Sequence, residues 1–176
     1  TSKIGNPYTT KSSFDKFIFA YESDNWVKLY KPLDEKKYKF QYLGTKAQGF
    51  IFGWKQLPEN ADLLIITGGE KDVMTLASKG FNAITLNSET AILPKNIVDE
   101  LKLRFKTILV LYDNDETGLK QSNILAVAHG LHRLVLPTLQ NNGKDISDYF
   151  ANGETVEKFN ALLLTAIQTP APVELD

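Results

Sequence analysis

The chain has 176 residues, 43% of them hydrophobic and 23% charged, with a formal net charge of −1. That is the composition of a globular protein with apolar material for one good core or two small ones. The absence of cysteine excludes disulfides and Cys-type zinc sites, and two histidines, His129 and His132, do not make a His-built centre, so any metal is expected to be held by oxygen.

The even net charge hides two dissimilar parts. Residues 1–60 carry ten lysines against six acids, a balance of +4, whereas residues 61–176 carry ten basic against fifteen acidic residues, a balance of −5. The first part also holds thirteen of the nineteen aromatics, many beside lysine, as in NWVKLYKPL and KKYKFQYLG. Lysines interleaved with aromatics suit single-stranded nucleic acid, because the ammonium groups pair with phosphates and the rings stack on bases. Lys46 and Lys55 are the candidate nucleic-acid contacts in this part. The same pattern also describes a small β-layer whose rings are its core and whose lysines are its wet face.

From residue 14 to 54 apolar residues alternate in FDKFIFAY, WVKLY, YKFQYLG and FIFGW, which predicts short antiparallel strands. After LPENAD the pattern changes. LLIIT (63–67), NAITL (82–86), TILVLY (107–112) and RLVLP (133–137) are expected strands. DVMTLASKG (72–80), PKNIVDELKLRF (94–105) and TGLKQSNILAVAHG (117–130) are expected helices between them. ISDYFANG and TVEKFNALLLTAI follow as further helices. Strands alternating with crossover helices imply an α/β domain with a mainly parallel four-stranded sheet, preceded by the small β-rich subdomain. No segment has the length of a membrane span and no basic-then-apolar leader precedes the body, so no membrane partner and a cytoplasmic location are expected.

Ligand sites in such sheets form beyond the carboxyl ends of the strands. Three polar stretches lie there: TGGEKD after LLII, DNDETG after ILVLY, and GKDISD beyond RLVLP. Glu70, Asp72, Asp113, Asp115, Asp145 and Asp148 are therefore expected to converge on one edge of the sheet. Asp113 and Asp115, two positions apart, have Cα atoms about 6 to 7 Å apart in extended chain. At an effective dielectric near 20 their charges repel by about 2 to 3 kcal/mol, which a divalent cation would offset. Several carboxylate oxygens, with the remaining positions left to water and phosphate, describe a Mg²⁺ or Mn²⁺ site of the phosphoryl-transfer type. A local reading stays open beside this one. The Asp113, Asn114, Asp115 run also suits an Asx-turn and a helix N-cap, and Asp72, Asp145 and Asp148 suit the first turns of helices.

The order of these motifs resembles the Toprim domain shared by bacterial primases, topoisomerases and some nucleases. The stretch GGEKDVMTLASKGFNAITLNSET is similar to the E-G-x-x-D segment of primases and the loop beyond it, VLYDNDETG to their Asp-x-Asp-x-x-Gly, and GKDISDYF to their GKDP-type segment. GFIFGWKQLP is similar to the element that precedes Toprim in the catalytic core of bacterial primases and phage primase-helicases. The resemblance is dense from about residue 48 to 150. It implies a primase core with a basic aromatic subdomain at 1–60, Toprim at 61–152, a C-terminal helix at 153–168 and a linker at 169–176. The start at Thr1 and the Pro-containing end QTPAPVELD fit an expectation that this is a piece of a longer protein.

The resemblance further implies DNA-templated RNA primer synthesis from ribonucleoside triphosphates on single-stranded DNA, with a helicase domain or protein as a further partner. Glu70, Asp113 and Asp115 become the catalytic candidates, the same three with Asp145 the Mg²⁺ or Mn²⁺ ligands, and Lys71, Asp72, Lys144 and Asp148 the substrate or nucleic-acid contacts. The zinc-binding template reader of the family finds no cysteine here. One position departs from the pattern: aligned on Asp72, the family's first acid is Gly68, and only Glu70 follows in G-G-E-K-D. A Toprim nuclease or topoisomerase-like enzyme, and a degenerate nucleic-acid-binding module, are the alternatives. DNDET also matches the Asp-x-Asp-x-Thr of haloacid-dehalogenase phosphatases, but it follows the third strand of the sheet rather than the first.

Overall fold

The structure, a computed structural model, describes residues 10–23, 25–45 and 49–171. Its contacts divide the chain into Thr1–Phe50 and Ile51–Asp176. In the second unit, β4 (Ala61–Thr67) and β6 (Phe105–Leu111) pair in parallel along their length, from Ala61 opposite Phe105 to Thr67 opposite Leu111. β5 (Ala83–Thr85) flanks β4 and β7 (His132–Arg133) flanks β6, both in parallel, giving the order β5-β4-β6-β7. Continuous apolar runs such as LLII and ILVL are required because helices cover both faces.

Side-chain alternation divides the core between those faces. Leu64, Ile66, Ile108 and Val110 point to the side where α2 (Lys95–Arg104) and α3 (Glu116–His129) lie, and meet Val98, Leu101, Leu125 and Ala126. Ile65, Leu109 and Leu111 point to the other side. There they meet Val73 and Leu76 of α1 (Glu70–Ser78), Ile146 and Tyr149 of α4 (Ile146–Ala151), and Phe159 and Leu163 of α5 (Val156–Gln168). The rings of Phe81, Tyr149 and Phe150 surround Phe159, with centroids 5.2 to 6.0 Å away.

Helix and strand types follow the sequence, and the boundaries differ where tertiary pairing decides them. α1 begins at Glu70 rather than Asp72. Phe105, expected at the end of a helix, opens β6 because its backbone pairs with Ala61. RLVLP pairs only through its first residue and the preceding histidine; the Leu134 N–H still donates to the Val110 carbonyl, after which buried Leu136 continues without a ladder. FIFGW adds one antiparallel bridge, Phe52 to Thr85, instead of a strand, and Ile51, Trp54 and Leu57 pack on the core beneath α2 and α3.

The first unit is an antiparallel meander of β1 (Phe19–Ser23), β2 (Trp26–Tyr30) and β3 (Phe40–Gly44), in that order across the sheet. Phe19, Tyr30 and Phe40 are directly opposite one another, so they share a face and stack with centroids 5.9 and 5.1 Å apart. Trp26, Tyr21 and Leu29 are buried, with Phe50 edge-on to Trp26. Among the described residues no helix is long and apolar enough to cross a membrane.

Phe159 is fully buried at the centre of the α5 face. Phe159→Ala is expected to cost about 3 to 5 kcal/mol, measured by urea unfolding of the whole chain; a cost below about 1 kcal/mol would mean that α5 is not part of this core.

Candidate metal centre

Three segments leave the carboxyl edge of the sheet and are tied to one another by hydrogen bonds. β4 passes through Gly68 and Gly69 into α1, whose first turn carries Asp72. β6 runs through buried Tyr112 into Asp113, Asn114 and Asp115, and α3 starts at Glu116. The chain beyond β7 returns through Gly143 and Lys144 to Asp145, which precedes α4. Asn114 binds this return to the end of β6: its backbone N–H donates to the Lys144 carbonyl at 2.7 Å and its side-chain amide donates to the Leu136 carbonyl at 2.9 Å.

Gly118 is the glycine of the Asp-x-Asp-x-x-Gly stretch, and its lack of a side chain is a steric requirement. A Cβ there would overlap the Asp113 carbonyl oxygen and crowd the Asp113 backbone. The first turn of α3 therefore lies directly on the strand end that carries the acids.

Within this frame Asp72, Asp113 and Asp145 each bring one carboxylate oxygen within 4.8 Å of the other two. Lysines take part of the charge. Lys144 Nζ lies 2.8 Å from Asp113 and 2.7 Å from Asp115, and Lys71 Nζ lies 2.7 Å from Asp145. The Ser147 hydroxyl donates to Asp72 at 2.7 Å and exchanges a 2.9 Å contact with the Thr75 hydroxyl.

The electrostatic consequences differ from group to group. Burial, and then the charge of Asp145, raises the Asp72 carboxyl to about 7 against the pull of Ser147 and Lys71. Burial also raises Asp113, with Lys144 opposing. Asp115 is held below the ordinary carboxylate value, chiefly by the Gly118 N–H and by Lys144. Burial works against the Lys144 ammonium, yet hydrogen bonds and charge from Asp113 and Asp115 raise it strongly. Lys71 is raised in the same way by Asp145.

Asp115 and Asp145 are helix caps, as the local reading has it, and each also meets a lysine of the cluster. Asp115 caps α3 with one oxygen, accepting from Gly118 N–H at 2.9 Å, and gives the other to Lys144. Asp145 caps α4 with one oxygen, accepting from Asp148 N–H at 2.8 Å, and gives the other to Lys71. Asp148 accepts from the Lys144 backbone N–H at 2.9 Å and so shapes the loop.

Not every expected residue enters the cluster. Glu70 is buried at the first position of α1 and is not one of the three converging acids, and neither is Asp115. Asp72, expected as a substrate contact, is one of the three. Lys55 is exposed on the 3-10 turn Trp54–Gln56, and Lys46 lies outside the described residues. Glu89, which sequence reasoning did not single out, reaches the cluster from the loop after β5 and accepts a backbone hydrogen bond from Asp113. Burial and then the Asp113 charge raise its carboxyl to about 6.

The donor set fits a hard divalent cation. All donors are oxygens. Oxygen ligands of a Mg²⁺ ion at about 2.1 Å lie about 3.0 Å apart when adjacent and about 4.2 Å apart when opposite, so the three carboxylates reach one ion by closing up to about 2 Å.

No protein-family model matches the sequence, and no curated protein matches it. Solved structures do match. One is the bacteriophage T7 lagging-strand DNA polymerase interacting with primase domains bound to an RNA/DNA hybrid and dTTP, with 21% identity, a TM-score of 0.59, and coverage of 89% of this chain and 79% of that one. The primase fragment of the T7 primase-helicase matches at 23% identity and TM-score 0.57, over 78% of this chain and 56% of its own. The *Aquifex aeolicus* primase, with zinc-binding and RNA polymerase domains, matches at 20% identity and TM-score 0.62, over 86% of this chain and 40% of its own.

The chain has the fold of a Toprim-type primase catalytic core. It spans 56% of the length of the T7 primase fragment and 40% of that of the Aquifex primase. The parallel sheet with an antiparallel β-subdomain before it is the expected architecture.

Two measurements probe this primase-like edge. Asp115→Ala removes the α3 cap and is expected to lower stability by about 1 kcal/mol, read by thermal unfolding without added metal. For Asp72, the folded protein holds a proton up to about pH 7 that the unfolded chain releases at the ordinary value, so this residue lowers stability as pH rises from about 4 to about 7. Asp72→Asn should remove that fall in metal-free protein; unfolding free energies that stay parallel to wild type across this range would show that Asp72 is not held in a raised state.

Proposed function

We propose that this chain is the catalytic core of a DNA primase, which synthesises RNA primers on single-stranded DNA in a reaction that depends on Mg²⁺ or Mn²⁺. The observation that carries this is the convergence of Asp72, Asp113 and Asp145 from three separate segments at the carboxyl edge of a primase-type sheet. Among the similar structures are primase domains with an RNA/DNA hybrid and dTTP and a DnaG catalytic domain bound to single-stranded DNA.

In this reading Asp72, Asp113 and Asp145 hold the cation, Asp115 keeps Lys144 at the site, and Ser147 orients Asp72. Bound there, a divalent cation supplies Lewis-acid stabilisation of the charge that develops on a nucleoside triphosphate. Lys71 and Lys144 offset the carboxylates without it, and when carboxylate charge is taken up elsewhere their ammonium groups are available to phosphate oxygens. Asn114 ties the end of β6 to the Lys144 loop and Gly118 lets α3 pack against Asp113, which restrains the segments that carry the acids.

The stacked face of Phe19, Tyr30 and Phe40, with Lys28 Nζ 4.9 Å from the Phe40 ring centre, is proposed to carry template or nascent primer. Phe19 and Phe40 are well exposed, which a core role alone does not require. Stacking of this kind contributes about 1 to 3 kcal/mol per base.

Gly68 favours a second reading, a nucleic-acid-binding Toprim module without activity. Incubating the chain with a single-stranded template, ribonucleoside triphosphates and Mn²⁺ or Mg²⁺ separates the possibilities. Metal-dependent RNA products that fall at least about 100-fold in Asp113→Asn are expected. Cleavage of DNA without extension would make it a nuclease, and DNA binding with neither reaction would make it a binding module. Phe19→Ala combined with Phe40→Ala is expected to weaken single-stranded DNA binding by about 5-fold to 100-fold, measured by fluorescence anisotropy.

A further inference from the structure

The end of β4 lacks an acid, yet the space beside it holds one. A Cβ built on Gly68 would lie 2.7 Å from Oε1 of Glu89 and 3.3 Å from Oδ1 of Asp113. The Glu89 carboxylate therefore occupies the place into which a side chain at position 68 would project, next to an acid of the candidate centre. Gly68 is not among the residues with positive φ, so its backbone does not require glycine. What the missing side chain provides is room.

The loop that delivers Glu89 is shaped to do so. Leu86 and Leu93 are buried in the core and anchor its two ends. Between them the Ala91 N–H donates to the Ser88 carbonyl at 3.0 Å, and the Ser88 and Thr90 hydroxyls lie 3.1 Å apart. This closes a tight turn whose Ser88 and Thr90 are exposed while Glu89 is half-buried. A glutamate at such a position ordinarily projects into water, because burial beside a like charge is unfavourable. Here it turns inward, accepts a hydrogen bond from the Asp113 backbone, and lies under the negative charge of Asp113 and Asp115 as well as the positive charge of Lys144.

We infer that Glu89 supplies, from the loop after β5, the strand-end carboxylate that Gly68 does not, and that it is a further oxygen ligand of the divalent cation. The inference rests on the metal-dependent reading of the centre and adds a residue to it. Glu89 is outside the group of three whose oxygens already lie within 4.8 Å of one another, so it joins by a rotation of its flexible side chain toward Asp113. The substitution is also reversible in principle. Of the three atoms nearest a Cβ at position 68, two belong to the Glu89 side chain and one to the Asp113 carboxylate, so shortening Glu89 removes the closest contact.

Calorimetric titration of Mn²⁺ into the whole chain tests this, with Glu89→Gln, Asp113→Asn and the double variant Gly68→Glu with Glu89→Ala, each checked for an unchanged metal-free melting temperature. Glu89→Gln is expected to weaken Mn²⁺ binding by about 10-fold to 100-fold, and the double variant to regain most of that loss. Wild-type affinity in Glu89→Gln, with binding lost in Asp113→Asn, would overturn the role of Glu89 and leave the centre standing. Absence of Mn²⁺ binding by the wild-type chain would overturn both.

Discussion

Mutual repulsion among Asp72, Asp113 and Asp145 is the constraint on which the carboxyl edge of the sheet is built. Three carboxylate oxygens within 4.8 Å of one another, with Asp72 buried and Asp113 and Asp145 half-buried, do not stay together without compensation. The fold supplies it in two ways. Lys71 and Lys144 provide positive charge at 2.7 to 2.8 Å, and a backbone frame through Asn114, Gly118 and Asp148 keeps the loops from opening. The apolar strands below are rigid because both faces are covered, so the acids are held by the core rather than by their own attractions.

This arrangement also lets one carboxylate serve as a cap and face the cluster at once. Asp115 and Asp145 are helix N-caps, and the same two residues hold the lysines that compensate the cluster. A carboxylate has two oxygens, and at this edge one serves local structure while the other serves the site. Primases of known structure share the fold at 17 to 23% identity, a level at which the likeness speaks for the architecture.

Much of this was legible before any coordinates, because the period of the apolar pattern changes near Leu63 and because each polar stretch follows a strand. LLIIT and TILVLY read as buried strands, and the polar stretches beyond the strands pointed to six acids, Glu70, Asp72, Asp113, Asp115, Asp145 and Asp148, of which Asp72, Asp113 and Asp145 come together. What was not legible depended on long-range pairing. The capture of Phe105 by Ala61, the short ladder at His132 and the single bridge at Phe52 are tertiary outcomes that no local pattern encodes. The relative places of Glu70 and Asp72 turned on helical phase: α1 begins at Glu70, so the two residues occupy different faces, and it is Asp72 that meets the other acids. Glu89 went unnoticed because its turn looks like any polar loop. The signal that could have found it is the empty acidic position at Gly68, beside which the Glu89 carboxylate lies.

In the proposed reading the carboxyl edge is a cation site and not only a set of capped helix ends held by lysines. Anomalous diffraction from crystals of the chain soaked in Mn²⁺ tests it most directly. A strong peak is expected among the carboxylates of Asp72, Asp113 and Asp145, with Lys71 and Lys144 drawn away from them. A map with no peak there, and both lysines still in contact with Asp113, Asp115 and Asp145, would contradict it.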